Sequence, residues 1–306
     1  MLQTKKVTGL KVRKLVLLSF MIVCSLWRTS LCAQKVMANP SFAVEKIGAG
    51  RPMILIPGLF CSGHVWDETV EHFKDKFTCY EITLPGFAGQ PPISSDSLLV
   101  VVARQLADFI QQNKLEKPII VGHSLGGSLA LQLGVMYPTL PGALVIVSSA
   151  PFLPGLALSP DVTVDSAAKI GIMIKNGMKN MNSAQIEQSQ KYSLPTMIKD
   201  SAKIALVMNM AVHSDAYTQG EVMYELFSTD LRKDIKNIQC PILVLADWTG
   251  YKKYGATREN VAKNYTEQFS HAKKVTIAIN DSSYHFIMYD EPQWLQDQMD
   301  HFLANQ

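Results

Sequence analysis

Short apolar runs alternate with longer stretches of helical periodicity along most of the chain. Seven runs read as strands: 42–46, 53–56, 78–83, 119–121, 144–147, 242–246 and 274–279. Several are apolar at every position rather than at every second one, the pattern of strands covered on both faces. Between them, residues 98–113 place apolar side chains at 98, 99, 102, 106, 109 and 110, a helical period. A second helical stretch, 125–137, is stopped by Pro138. Stretches 258–269 and 292–303 follow, the latter with Pro292 in its first turn. This alternation predicts an α/β fold with a mostly parallel, doubly wound sheet and helices on both faces.

One segment breaks the alternation. Residues 151–229 contain helical pattern and no good strand, and hold Met173, Met178, Met181, Met197, Met208, Met210 and Met223, half of the 14 methionines. Methionine is flexible and polarizable, so it suits both an adaptable apolar surface and the filling of an irregular core. The segment reads as a helical cap over an apolar ligand, with core filling as the plainer role of any single methionine. The start of the chain also stands apart. Lys5, Lys6, Lys11, Arg13, Lys14 and Arg28 fall in the first 33 residues, with no acid among them. The apolar run 15–27 behind the first five is too short for the roughly 20 helical residues that cross a bilayer. This order reads as a secretory signal over 1–33, with an uncleaved membrane anchor as the alternative. The expected location is therefore exported, periplasmic or secreted, or else membrane-anchored. The expected organisation is leader 1–33, core 34–150, cap 151–229 and core again 230–306.

Composition changes the picture only a little. At 306 residues, with 47% apolar and 18% charged residues, the chain is globular in make-up rather than disordered or fibrous. Net charge is +3, yet without the leader 23 basic residues face 26 acidic ones. No basic patch interleaved with aromatics points to nucleic acid. Beyond the leader, no stretch is long and uncharged enough to span a membrane. Cys61, Cys79 and Cys240 remain there, an odd number and no disulfide framework. A Cys61–Cys79 bridge and three buried thiols are the two readings. Asn264-Tyr265-Thr266 and Asn280-Asp281-Ser282 have the form of glycosylation acceptors, a three-residue match that chance supplies readily.

The chemistry concentrates at Gly122-His123-Ser124-Leu125-Gly126, directly after an apolar strand and directly before a helical pattern. A serine on such a sharp turn needs glycines two residues to either side, because the turn is strained and closely packed. The helix start beyond it offers backbone N–H groups to developing negative charge. A serine hydroxyl needs a base within hydrogen-bond reach. His285 lies just past the last strand, in the turn-rich stretch Asn280-Asp281-Ser282-Ser283. His123 sits beside the serine and cannot easily fold back onto it. His64 is the one rival, and His72, His213, His271 and His301 read as helix-surface residues.

With these residues in place, the sequence from Phe42 onward resembles the α/β-hydrolase superfamily, in its serine-nucleophile branch. Ile54-Leu55-Ile56-Pro57-Gly58-Leu59 stands where the family has a strand ending in His-Gly, with Pro57 replacing the histidine. Leu84-Pro85-Gly86-Phe87-Ala88-Gly89 is similar to the family's Asp-x-Pro-Gly-x-Gly turn, with Thr83 at the Asp position. Ser283-Tyr284-His285-Phe286 and Glu291-Pro292 are similar to its histidine loop and final helix. The resemblance implies an α/β-hydrolase fold with a helical cap inserted after the sixth strand. It also implies catalysis by Ser124 with His285 as base, and an oxyanion hole from the N–H groups of Leu59 and Leu125. Phe60 takes the place of Leu59 if the loop register differs. The acid follows the penultimate strand, where the family has Gly-x-x-Asp and this chain has Asp247-Trp248-Thr249-Gly250. Asp247 is the first candidate, Asp281 the second, and a dyad or an acid from the cap the remainder.

These residues imply a hydrolase of carboxylic esters, whose partner is a small apolar ester-like substrate cleaved through an acyl-enzyme. A thioesterase, lactonase, C–C hydrolase or cofactor-free haloperoxidase on the same scaffold would carry the same residues. The displaced acid and the missing histidine before Gly58 also suit a non-catalytic binder of apolar ligands. No dinucleotide fingerprint or metal-ligand spacing is present in the sequence, so neither cofactor nor metal is expected.

Overall fold

A computed structural model describes residues 40–95 and 97–304. The predicted leader, 1–33, lies outside the described residues. Seven strands form one sheet: β1 (Ala43–Gly48), β2 (Arg51–Ile56), β3 (Phe77–Thr83), β4 (Ile119–His123), β5 (Ala143–Val147), β6 (Ile242–Ala246) and β7 (Val275–Ile279). Their order is β1-β3-β2-β4-β5-β6-β7. β1 pairs antiparallel with β3, and every other pair is parallel. Strands β4, β5 and β6 are buried along their whole length, and β2 from Met53 on, because each face carries its own apolar layer. Ile54, Ile56, Ile120, Ile146 and Val244 join one core, while Leu55, Val121, Val145 and Leu245 join the other. This is the physical origin of the uninterrupted apolar runs.

The helices are α1 (Asp67–Phe73), α2 (Leu98–Gln112), α3 (Leu125–Met136), α4 (Leu153–Ala157), α5 (Val164–Met178), α6 (Ser183–Ser193), α7 (Ser201–Val212), α8 (Ala216–Ser228), α9 (Arg258–Gln268), α10 (Ile287–Asp290) and α11 (Pro292–Leu303). Among the described residues none is long and apolar enough to cross a membrane. The helical segment from α4 to α8 leaves the sheet after the fifth strand in chain order, not the sixth. The sheet has seven strands, and only β1 to β5 precede that segment.

Polar contacts tie this segment to the start of α2 and to the loop after β3. Ser97, at the start of α2, provides no side-chain cap. Instead the buried Glu225 carboxylate of α8 accepts from Leu98 N–H at 2.6 Å and Leu99 N–H at 2.9 Å. Asp215 N–H donates to Gly86 O at 2.7 Å, and Ser214 Oγ accepts from Ala88 N–H at 2.9 Å. The methionines of the segment are scattered rather than gathered on one face. Met210 packs its sulfur against Ser62, Met223 lies against one core, Met197 and Met208 lie against the other, and Met173 is 73% exposed.

The chain runs from β2 to β3 on one side, then returns to place β4 on the other side of β2. In an open α/β sheet, ligands gather where the strand order reverses, beyond the carboxyl ends of the strands. Here those ends are Pro57-Gly58 after β2 and Ser124 after β4.

Candidate active site

Ser124 occupies the junction of β4 and α3 with φ 50° and ψ −114°, a conformation side-chain-bearing residues rarely adopt. The surroundings hold it there. Its N–H donates to Val147 O of β5 at 2.9 Å, and its carbonyl accepts from Gly127 and Ser128 N–H. Gly122 is needed for the close packing, since a Cβ there would lie 2.2 Å from Gly126 O. The loop after β2 comes just as near: a Cβ on Gly58 would lie 3.3 Å from Ser124 Cβ and 2.8 Å from His123 Nδ1. The segment carrying Leu59 is thereby placed beside Ser124. Phe60, next along, has φ 70°, and Cys61 N–H closes the turn onto Gly58 O at 3.2 Å. Among the described residues no acceptor engages Leu59 N–H or Phe60 N–H. Leu125 is the first residue of α3, so its N–H is one of those a helix leaves without an intrahelical partner.

His285 is fixed through the backbone on three successive residues. Tyr284 N–H donates to Asp290 Oδ2 at 2.8 Å, and Phe286 N–H donates to Met197 O at 3.1 Å. Between them, His285 O accepts from His123 Nε2 at 3.0 Å. Asp290 also accepts from Lys199 N–H, joining the histidine loop to the helical segment. The loop's start is organised by buried Asn280, whose Oδ1 accepts from Ser282 and Ser283 N–H. The acceptor-like motif at Asn280 thus has its side chain engaged inside the fold. Asn264 is likewise engaged, donating to Gly155 O.

His123 has a defined state. It is fully buried, and burial first, then the nearby His285 charge, holds its pKa well below the ordinary imidazole value. A neutral ring that donates from Nε2 leaves Nδ1 as the bare acceptor, and no hydrogen bond reaches Nδ1. The rings of His123 and His285 lie 4.8 Å apart.

The two candidate acids separate clearly. Asp247, at the end of β6, is buried and has Oδ1 3.9 Å from His285 Nδ1. That is ion-pair range but longer than a hydrogen bond. Its Oδ2 has no partner. Asp281 is on the surface, accepting from Trp248 Nε1 at 3.0 Å and Arg258 Nε at 2.7 Å. Those two contacts hold its carboxyl below the usual range. The structure therefore brings Asp247 to the imidazole and engages Asp281 elsewhere. Ser124 Oγ makes no hydrogen bond with His285 among the described contacts. The rival His64 lies on the exposed surface beside Asp67.

His285 and Asp247 line a cavity of about 660 Å³ between α4 and α9. Leu153, Leu156, Val261 and Tyr265 give it apolar walls, and buried Ser148 Oγ, with no hydrogen-bond partner, adds a polar spot. Ser148 also has a positive φ, 49°, at the end of β5. Burial, helped by the Asp247 charge, pushes the Tyr265 phenol well above its ordinary range. None of the seven methionines lines this cavity, because those of known contact pack into cores or onto the surface. The apolar walls come from leucines, valine and tyrosines instead. Cys61, Cys79 and Cys240 are free and buried, which excludes the Cys61–Cys79 bridge. Burial raises the first two thiols to about 12 and the third to about 11.

Sequence reasoning missed the residues that hold the histidine loop. Asp290 and Asn280 are ordinary polar residues in sequence, and only the closeness of Asp290 to His285 along the chain could have marked it. The grip of His123 on the His285 carbonyl depends on a contact 162 positions away.

Residues 53–298 match the model of the alpha/beta hydrolase family, and the chain belongs to that family. A pimeloyl-[acyl-carrier protein] methyl ester esterase of Vibrio campbellii is 29% identical over 107 residues, 35% of this chain and 40% of its own length. The same-named protein of Aeromonas salmonicida is 32% identical over 112 residues, 36% of this chain and 42% of its own. The match thus spans well under half of these relatives. Among solved structures, a thermophilic esterase from Thermogutta terrifontis has TM-score 0.71 at 15% identity, covering 86% of this chain and 93% of that one. An enol-lactonase from Burkholderia xenovorans has TM-score 0.68 at 14% identity, covering 86% and 96%. At such identities these likenesses carry the fold alone.

Proposed function

We propose that this protein is a serine hydrolase that cleaves carboxylic esters bearing apolar groups through an acyl-enzyme. The observation that carries the reading is the strained Ser124 at the strand–helix junction, with the His285 loop hung from the residue immediately before it. In this reading Ser124 Oγ attacks the ester carbonyl carbon while His285 takes the hydroxyl proton. The oxyanion is held by the N–H groups of Leu59 and Leu125, both free of protein acceptors at the turn and the helix start. His285 returns the proton to the leaving alcohol, and the acyl group stays on Ser124. Water activated by His285 then releases the carboxylic acid. Asp247 orients the imidazole from the side opposite Ser124. Hydrogen bonds between such groups commonly tighten only in the substrate complex, which accommodates the 3.9 Å acid–imidazole separation. The apolar walls beside His285 suit a hydrocarbon portion of the substrate, and the named relatives include esterases.

A fluorophosphonate probe is expected to label the wild-type protein, and Ser124→Ala to abolish both labelling and turnover of a chromogenic ester. Folded wild-type protein that takes up no probe overturns the reading. The long acid–imidazole distance favours a second one, a non-catalytic binder of apolar ligands. Ester turnover that disappears in His285→Ala excludes it.

A further inference from the structure

A second cluster of titratable groups lies along the β1–β3 edge of the sheet. In the antiparallel β1–β3 ladder, Glu45 stands directly opposite Glu81. Like charges in that relation destabilise a sheet unless something compensates them. Glu81 is 2% exposed, and neither carboxylate oxygen has a hydrogen-bond partner. No Lys or Arg among the described residues forms an ion pair with it. Burial, reinforced by the Asp67 charge, pushes its carboxyl up to about 7, so the group is relieved either by a proton or by a bound cation.

The turn 63–66 brings an imidazole over the same spot. One ligand atom each from Glu45, His64 and Glu81 lie within 4.8 Å of one another. His64 Nε2 is 3.8 Å from Glu45 Oε2, while His64 Nδ1 is 3.2 Å from Asp67 Oδ1. A metal-binding histidine characteristically donates its other ring N–H to a carboxylate, which fixes the tautomer and aims the free nitrogen. Asp67 supplies that carboxylate, and Nε2 is the nitrogen on the Glu45 side. The backbone is shaped for this approach. A Cβ at Gly63 would lie 2.8 Å from Glu81 Cβ, so the turn reaches the strand only as glycine. Gly63 N–H is anchored on Thr83 Oγ1 at 3.0 Å. The residues surround a cavity of about 300 Å³, large enough for an ion and its remaining water ligands.

We propose that Glu45, His64 and Glu81 bind one divalent metal ion of the zinc class, through a carboxylate oxygen of each glutamate and Nε2 of His64. One imidazole with two carboxylates suits zinc and its first-row neighbours better than calcium or magnesium, which prefer all-oxygen sets. Three protein ligands leave a fourth position for water. The sequence showed no ligand spacing because the three residues come from β1, a turn and β3, and only the strand pairing unites them. The ion would join edge strand β1 to β3 and to the turn that follows the Leu59 loop. This inference stands independently of the proposed hydrolysis.

The test uses tag-free protein freed of metal with a chelator. Titration with Zn²⁺ in a calorimeter is expected to show one equivalent bound, and Co²⁺ to give visible absorption bands of a nitrogen- and oxygen-ligated site. Glu81→Gln is expected to weaken Zn²⁺ binding by roughly 100-fold, and Asp67→Asn by roughly 10-fold through loss of the imidazole's orienting partner. His64 is exposed, so His64→Ala keeps the fold and should abolish the Co²⁺ bands even if Glu81→Gln proves unstable. Absence of Zn²⁺ binding to the wild type overturns the proposal. So does binding of unchanged affinity in His64→Ala, or tighter binding of Ca²⁺ than of Zn²⁺.

Discussion

Asp247 and Asp281 differ in what each carboxylate touches. Asp281 is spent on an indole N–H and a guanidinium at the surface, whereas Asp247 is buried with one oxygen toward His285 and the other unpartnered. If Asp247 orients the imidazole, Asp247→Ala lowers kcat by roughly 10²–10⁴-fold while leaving KM nearly unchanged, because the lost interaction serves the transition state. Asp281→Asn leaves kcat within about twofold, since its partners are not part of the reacting site. Steady-state kinetics of the two variants on one chromogenic ester check both outcomes. Asp247 was legible in the sequence only as a carboxylate at a strand end, because the expected spacing put glycine in its place. The strand end was the cue that remained, because ligands in open α/β sheets gather beyond the carboxyl ends of the strands.

At the level of elements, the join between α8 and α2 is unusual in that the cap of one helix comes from another far along the chain. Ser97 leaves the first N–H groups of α2 unserved, and Glu225, 127 residues away from Leu98, satisfies two of them. Removing the carboxylate strands buried donors, at a cost of about 1–3 kcal/mol. Glu225→Ala is therefore expected to lower the urea midpoint by that amount of stability with the m-value unchanged, and Glu225→Gln to recover part of it. Equilibrium urea unfolding measures both. The helices themselves were readable because α2, α3, α9 and α11 carry their own stop and start signals and apolar periods. Strands β2, β4, β5 and β6 were readable because burial on both faces writes itself as unbroken apolar runs. What fastens these elements was not readable. Glu225, Asp290 and Asn280 are polar side chains whose partners are distant in sequence or are backbone groups, and neither leaves a periodic trace. The methionine-rich segment has a distinctive composition, but composition does not say which face a side chain occupies, and Met197, Met208, Met210 and Met223 take the plainer, core-filling role.

For the molecule as a whole, the buried neutral His123 gives folding a built-in acid sensitivity. The folded state keeps this ring uncharged well below the ordinary value, while an unfolded chain protonates it near pH ~6.5. As the pH falls past that value the unfolded state binds the extra proton, so stability present above it is progressively lost down to the folded value. Thermal midpoints of the wild type should drop between about pH 7 and pH 5. His123→Gln, which can still donate to the His285 carbonyl but does not titrate, should lose less over the same interval. Differential scanning calorimetry across that range makes the comparison. The same ring has a mechanical consequence. His123 is the last residue of β4 and leads straight into Ser124, yet it also carries the peptide carbonyl of residue 285. Any shear of β4 against β6 and β7 drags the proposed nucleophile and its proton acceptor along as one body, so thermal breathing of the sheet leaves their separation almost untouched.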